Sequence, residues 1–222
     1  MNITIDATVS RIIPNIQIGV ITYENITISE SPQMIKGRTQ LYQENLFLEM
    51  QDAPVTTRAG IAEWRTLWKA FGADPNRYRH SAESLLRRIA KENYVMPIHS
   101  GVDINNFFSM NYEIPIGLYD AAHIDGDVTV VAGNDTDRYE ALNGRDVKLQ
   151  NIIHTKDAVG SFGSAYVDSA RTAVTEKTTR AVQIFYLRPS LSHDENLQLL
   201  QAAGNMFTQI NGGTYDVSLV TA

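Results

Sequence analysis

The sequence predicts a mixed α/β (α+β) fold spanning residues 1–222 as one domain. Three observations carry that expectation. Apolar residues recur at helical spacing in the first third, and short strand-like runs separated by Asp-Gly and Asn-Gly turns follow Pro97. A capped amphipathic segment then leads into a strand-like C-terminal stretch. With 222 residues, 43% of them hydrophobic and 20% charged, the chain can bury a sizeable core and does not read as disordered.

Asn15 to Ser29 is rich in Ile, Val, Thr and Tyr and suits one or two strands. Ser31-Pro32 reads as a helix start, with Ser31 as cap and Pro32 at the first helical position, where its missing N–H costs nothing. That helix is expected to reach about Met50, before Pro54 breaks the chain. Ile61, Trp64, Trp68 and Phe71 mark a second helix, which stops at Gly72 to Pro75; the two tryptophans read as core. Ser81 is the expected cap of a third helix whose apolar face is Ala82, Leu85, Leu86, Ile89 and Ala90. Beyond Pro97, Asp125-Gly126 precedes Val128–Val131, and Asn143-Gly144 precedes Val147–Leu149, a strong hairpin signal. Ala181–Leu187 reads as a buried strand. Ser192 and Glu195 have capping-box spacing at the start of a last helix ended by Asn211-Gly-Gly213, and Thr214–Val220 is the expected final strand.

Composition narrows the function. The absence of cysteine removes disulfides, thiolate nucleophiles and cysteine-ligated zinc. No apolar run is long enough for a membrane span, and the N-terminus lacks the charged start and apolar stretch of a signal peptide, so a cytoplasmic location is expected. The net charge of −6 argues against a uniform field for nucleic acid, yet Arg58 to Glu92 holds eight basic and four acidic residues and is locally positive. This segment fits either two amphipathic helices with solvated faces or a local contact with RNA phosphate. There is no GxSxG elbow, phosphate loop or GxGxxG, and His80, His99, His123, His154 and His193 are scattered without metal-ligand spacing. No metal and no cofactor is expected.

Five colinear segments carry a resemblance. They are Leu85–Ile89 with Val102–Asn106, Ile114–Asp120, Ile124–Val130 with Leu142–Gly144 and Leu149, Val159–Ser164, and Val174–Thr178. In order and spacing they are similar to the tRNA-editing domain of the phenylalanyl-tRNA synthetase beta subunit, which is built from its third and fourth B modules. The match covers residues 81–187, with residues 1–80 as an N-terminal strand and helices packed on it. The stretch from Trp68 to Glu83 looks like members of the family that lack synthetase modules.

The resemblance implies a layered β/β/α domain and a pocket where a glycine-rich loop faces the Asn and Pro segments. It implies hydrolysis of the ester of a mischarged tRNA in trans, with tRNA or aminoacyl-tRNA as partner. Water would be activated by the substrate's terminal ribose hydroxyl and backbone groups, without a protein triad. Carried over residue by residue, the substrate-side positions are Asn106, Pro115, Gly117, Asp120, Gly160, Gly163, Ser164 and Ile184. Arg77, Arg79, Arg87 and Arg88 are the candidate RNA contacts, although Arg87 and Arg88 are better suited to pairing with Asp103 or Glu83 at the core edge. Two positions depart from the family: Gly117 stands where it has histidine, and Ile184 (or Phe185) where it has the glutamate that reads a tyrosine hydroxyl. Tyrosine specificity is therefore not expected. A non-catalytic module that binds tRNA or an amino-acid ligand is the alternative; the oligomeric state is left open.

Overall fold

The computed structural model describes residues 1–221. Its first half runs β1 (Ile3–Ile5), α1 (Ala7–Ser10), β2 (Gln17–Glu24), α2 (Gln33–Glu49), α3 (Ala59–Ala70), α4 (Ser81–Ile89) and α5 (Ser100–Tyr112). The second half runs β3 (Ile116–Asp120), β4 (Val128–Ala132), β5 (Arg138–Glu140), β6 (Asp146–Lys148), β7 (Ile153–Lys156) and β8 (Ser161–Ser164). It closes with β9 (Arg180–Tyr186), α6 (His193–Asn211) and β10 (Thr214–Thr221).

Two four-stranded sheets form, with orders β10-β2-β9-β3 and β1-β4-β7-β8, beside a β5-β6 hairpin. The first sheet is antiparallel throughout. In the second, β1 pairs parallel to β4 and the other pairs are antiparallel. Strand alternation explains the layers, because successive side chains point to opposite faces. Leu118 and Gln183 are register partners, and Gln183 reaches Asn105 of α5, so that face looks at α5 and α6. Tyr119, one residue on, points the other way and meets Phe162 of β8 edge-to-face at 5.1 Å. The order is helix, sheet, sheet. β9, covered on both faces, reads accordingly as an almost continuous apolar run.

The N-terminal helices are tied on through tryptophans. Trp64 and Trp68 are fully buried and meet edge-to-face at 5.8 Å, and Trp64 also packs on Tyr186 of β9 at 6.3 Å. Leu46, Ile61, Leu86, Ile89 and Met110 form a second, smaller apolar cluster joining α2, α3, α4 and α5. Burying such side chains stabilises by roughly 1.5–3 kcal/mol each.

The capping box of α6 forms as expected from Ser192 and Glu195. Two caps differ. The N-cap of α4 is His80, whose Nδ1 accepts from Glu83 N at 3.4 Å, and Ser81 is the first helical residue. The N-cap of α2 is Pro32, because the Ser31 hydroxyl donates instead to the buried Asp103 carboxylate. Gly144, with φ +75°, makes the β5–β6 turn at the Asn-Gly pair. Helix α5 has no clear mark in the sequence pattern. Its sequence, SGVDINNFFSMNY, is poor in strong helix formers and shows little amphipathic period, since it is buried on nearly all sides.

Candidate functional site

Between α4, the first half of α5, edge strand β3 and the 165–174 loop lies a cleft of about 480 Å³. Its apolar wall comes from Leu85, Val102, Ile116, Leu118 and Val174. His99, Asn105 and Asn106 supply further polar groups. Two lining side chains are charged, Arg88 on α4 and Asp168 on the loop.

Each polar group is fixed by the fold. Asn105 Nδ2 donates to the Ile116 carbonyl at 3.1 Å, and its Oδ1 accepts from Gln183 Nε2 at 2.9 Å. Gln183 accepts in turn from Tyr23 at 2.8 Å. A buried chain of this kind, fully paired, is rigid. His99 caps α5: Nδ1 accepts from Val102 N at 3.3 Å, and Nε2 lies 3.3 Å from the Val174 carbonyl, to which it donates in that tautomer. The α4 wall is anchored where Ser81 N donates to the Ala165 carbonyl at 2.9 Å.

Asp168 Oδ1 accepts from the buried Tyr119 hydroxyl at 2.7 Å. Burial pushes the Asp168 carboxyl up to about 7, against the opposing pull of the Tyr119 hydroxyl and the Ser164 backbone. Its second oxygen takes no hydrogen bond from the described residues and is not among the sealed, unpartnered polar atoms. It is therefore the oxygen open to the cleft. The loop that carries Asp168 is shaped by Ser164, whose hydroxyl accepts from Tyr166 N and Val167 N at 3.1 and 3.2 Å.

The residues singled out in the sequence take diverse places. Asn106 lines the cleft, half-buried, and Arg88 is exposed on its wall. Gly117 and Gly163 flank the Tyr119 hydroxyl; a Cβ would lie 1.8 Å from its oxygen on Gly117 and 2.2 Å on Gly163. Pro115 is buried ahead of β3, with its carbonyl accepting from Tyr186 N. Asp120 caps the turn at Ala122 and accepts from Thr178 at 2.6 Å. Gly160 lies in the β7–β8 turn, where Asp157 accepts from its N–H and is clamped by Arg171. Ser164 lies beneath the loop, and Ile184 is fully buried in β9 opposite Gly117.

Among the arginines, Arg87 pairs with the buried Glu83 at 2.7 Å, together with Arg65 at 2.9 Å. Arg77 and Arg79 are exposed on the segment before α4, with Arg77 over the Tyr78 ring. Of the expected positions, the cleft brings together Asn106 and Arg88. Asp168, His99 and Asn105 complete it. Neither His99 nor Asp168 carries a signal in the sequence: histidine is not a favoured helix cap, and a lone aspartate in a loop looks like any turn residue.

The model of the B3/4 domain matches residues 63–192, a span that contains α4, α5, β3 and the whole 165–174 loop. The chain belongs to the B3/4 domain family. The B3/4 chain is also 29% identical to the uncharacterized protein YhzB of Bacillus subtilis (strain 168), over the full length of both. It is 28% identical over 123 residues to the phenylalanine–tRNA ligase beta subunit of Rickettsia felis, a match covering 44% of this chain and 15% of that subunit. An N-terminal fragment of the phenylalanyl-tRNA synthetase beta subunit from Pyrococcus horikoshii superposes with a TM-score of 0.46 at 13% identity, over 96% of this chain and 50% of the fragment. No helix among the described residues is long and apolar enough to cross a membrane.

Proposed function

We propose that this B3/4 chain hydrolyses the ester of a mischarged tRNA in trans, and that its preferred aminoacyl group is not tyrosine. The observation that carries this reading is the cleft itself: about 480 Å³, apolar along most of its wall, with Asn105, Asn106 and Asp168 converging on one space. Its volume falls within the range usual for small-molecule sites and suits an amino-acid side chain with part of the terminal nucleoside. Exposed Arg88, with Arg79 and Arg77 on the preceding segment, offers positive charge to tRNA phosphates.

In the reaction, a water oxygen adds to the ester carbonyl carbon and the bond to the ribose oxygen breaks. That oxygen leaves with a proton, giving free amino acid and uncharged tRNA. Ser81 Oγ is sealed without a partner and Ser84 Oγ donates to the His80 carbonyl, so neither is poised as a nucleophile. Activation of water by the substrate's own terminal ribose hydroxyl fits that wall. A tyrosine hydroxyl against Leu85, Val102 and Leu118 would go unpaired, costing about 1–3 kcal/mol. A second site of this kind is how errors that a hydrophobic synthetic site cannot reject are removed.

A panel of tRNAs, each carrying a different wrong amino acid, tests the proposal. Ester loss well above the buffer rate for at least one small or apolar aminoacyl group is expected. Binding without turnover across the panel would instead support a non-catalytic ligand-binding module.

A further inference from the structure

Beyond the reaction class, the cleft specifies which end of its ligand goes where. Asp168 is the one acidic side chain on the cleft wall among the described residues, and Arg88 is the one permanently charged base. Two of the remaining polar side chains, Asn105 and His99, are already committed. Asn105 is bonded at both ends of its amide, and both His99 ring nitrogens have partners, one of them an acceptor role that a protonated nitrogen cannot fill. Asp168 differs: Oδ1 is held by Tyr119 and Oδ2 is left open to the cleft. Three buried phenols, Tyr119 of β3, Tyr139 of β5 and Tyr186 of β9, surround it, and burial pushes all three upward, so they stay neutral. Among the described residues no cation pairs with the carboxylate.

An oriented carboxylate with one free oxygen, the one anionic group on the cleft wall among the described residues, is the chemistry that recognises an ammonium group. We propose that Asp168 binds the α-ammonium of the aminoacyl group, and so makes the cleft selective for free over N-blocked aminoacyl esters. The proposal rests on the aminoacyl reading of the cleft but not on catalysis. With the ammonium on Asp168, the apolar side chain lies along Leu85, Val102 and Leu118, and the ester points toward the Arg88 side. The high proton affinity of the empty site adds a pH signature. The carboxyl must lose its proton to bind, at about 7, and the α-amino group must keep its own, so affinity passes through a maximum near neutral pH. His99 and Arg88 line the same cleft as Asp168.

The test uses the full chain and amide-linked, non-hydrolysable aminoacyl-adenosines carrying alanyl, valyl, leucyl or phenylalanyl groups, each with its N-acetylated counterpart. Calorimetric titration of wild type is expected to show at least one free-amine analogue binding tenfold or more tighter than its acetylated partner. In Asp168→Asn the ratio should fall to within about twofold, and the affinity maximum near neutral pH should disappear. Equal binding of the two forms by wild type overturns the proposal, as does absence of binding by every analogue, or a preference that survives in Asp168→Asn. The wild-type comparison stands even if the variant folds poorly. Amine-selective binding without turnover of mischarged tRNA would keep this proposal and remove the hydrolytic one.

Discussion

The Tyr119 hydroxyl donates to Asp168 Oδ1 at 2.7 Å, through a gap left by the missing side chains of Gly117 and Gly163. This pairing couples the face between the sheets to the cleft at the edge of β3. It also gives the two glycines a packing reason that does not depend on any ligand. A methyl group on either would collide with a fully buried ring that has nowhere to move.

Gly117→Ala and Gly163→Ala are each expected to destabilise the fold by about 1–3 kcal/mol, the range for overpacking a tight interior. Urea unfolding midpoints measure it. Combined with Tyr119→Leu, either change should cost less than the sum of the two singles, because both act on one volume.

Asp168→Asn is expected to stabilise the chain at alkaline pH while weakening its ligand binding. The folded carboxyl holds its proton to about 7, above the ordinary carboxylate value of 3.8, so the unfolded chain releases that proton first as pH rises. Stability is therefore fully present in acid and declines between about pH 4 and 7. The variant lacks that decline. Thermal melts at pH 5 and pH 8 should show it gaining on wild type by roughly 1–2 kcal/mol at the higher pH, a figure reduced for the side of the carboxyl that water reaches.

His80 works in the opposite direction. It is fully buried, and burial together with Arg65 lowers it from 6.5 to about 3, so the unfolded state binds the proton first. Its contribution is intact above pH 6.5 and is lost as pH falls toward 3, with a slope of up to about 1.4 kcal/mol per pH unit. His80→Asn keeps a good N-cap and should flatten the acid limb of the stability profile by one proton.

Arg87 and Arg88 are adjacent yet should separate cleanly. Arg87 shares the fully buried Glu83 with Arg65, whereas Arg88 makes no ion pair among the described residues. Glu83→Gln, which leaves two guanidinium groups short of a counter-charge, is expected to cost about 3 kcal/mol. Arg88→Ala should leave the melting temperature unchanged. It should weaken tRNA association at low salt and reduce the slope of log affinity against log salt by about 1.

How far the sequence could be read depended on whether the cause was local. The α6 capping box, the Asn143-Gly144 turn and the β9 run depend on a few neighbouring residues, and the structure has each where its pattern stands. Where a distant partner competes, the pattern misleads. Ser31 leaves α2 uncapped because Asp103, far along the chain, takes its hydroxyl. Helix α5 escapes notice because burial, not propensity, makes it helical. The same distinction separates the residues that line or support the cleft. Asn106 and Arg88 lie in segments the sequence marks, but Asp168 acquires its character from Tyr119, and Gly117 and Gly163 from the ring between them.

The central claim is that the cleft processes an aminoacyl ester, and one measurement addresses it directly: the rate of ester loss from mischarged tRNAs in the presence of wild type and of Asp168→Asn. The expected result is catalysed release of at least one non-tyrosine amino acid by wild type, with turnover reduced tenfold or more by the substitution. Release at the buffer rate for every aminoacyl-tRNA in the panel would contradict it.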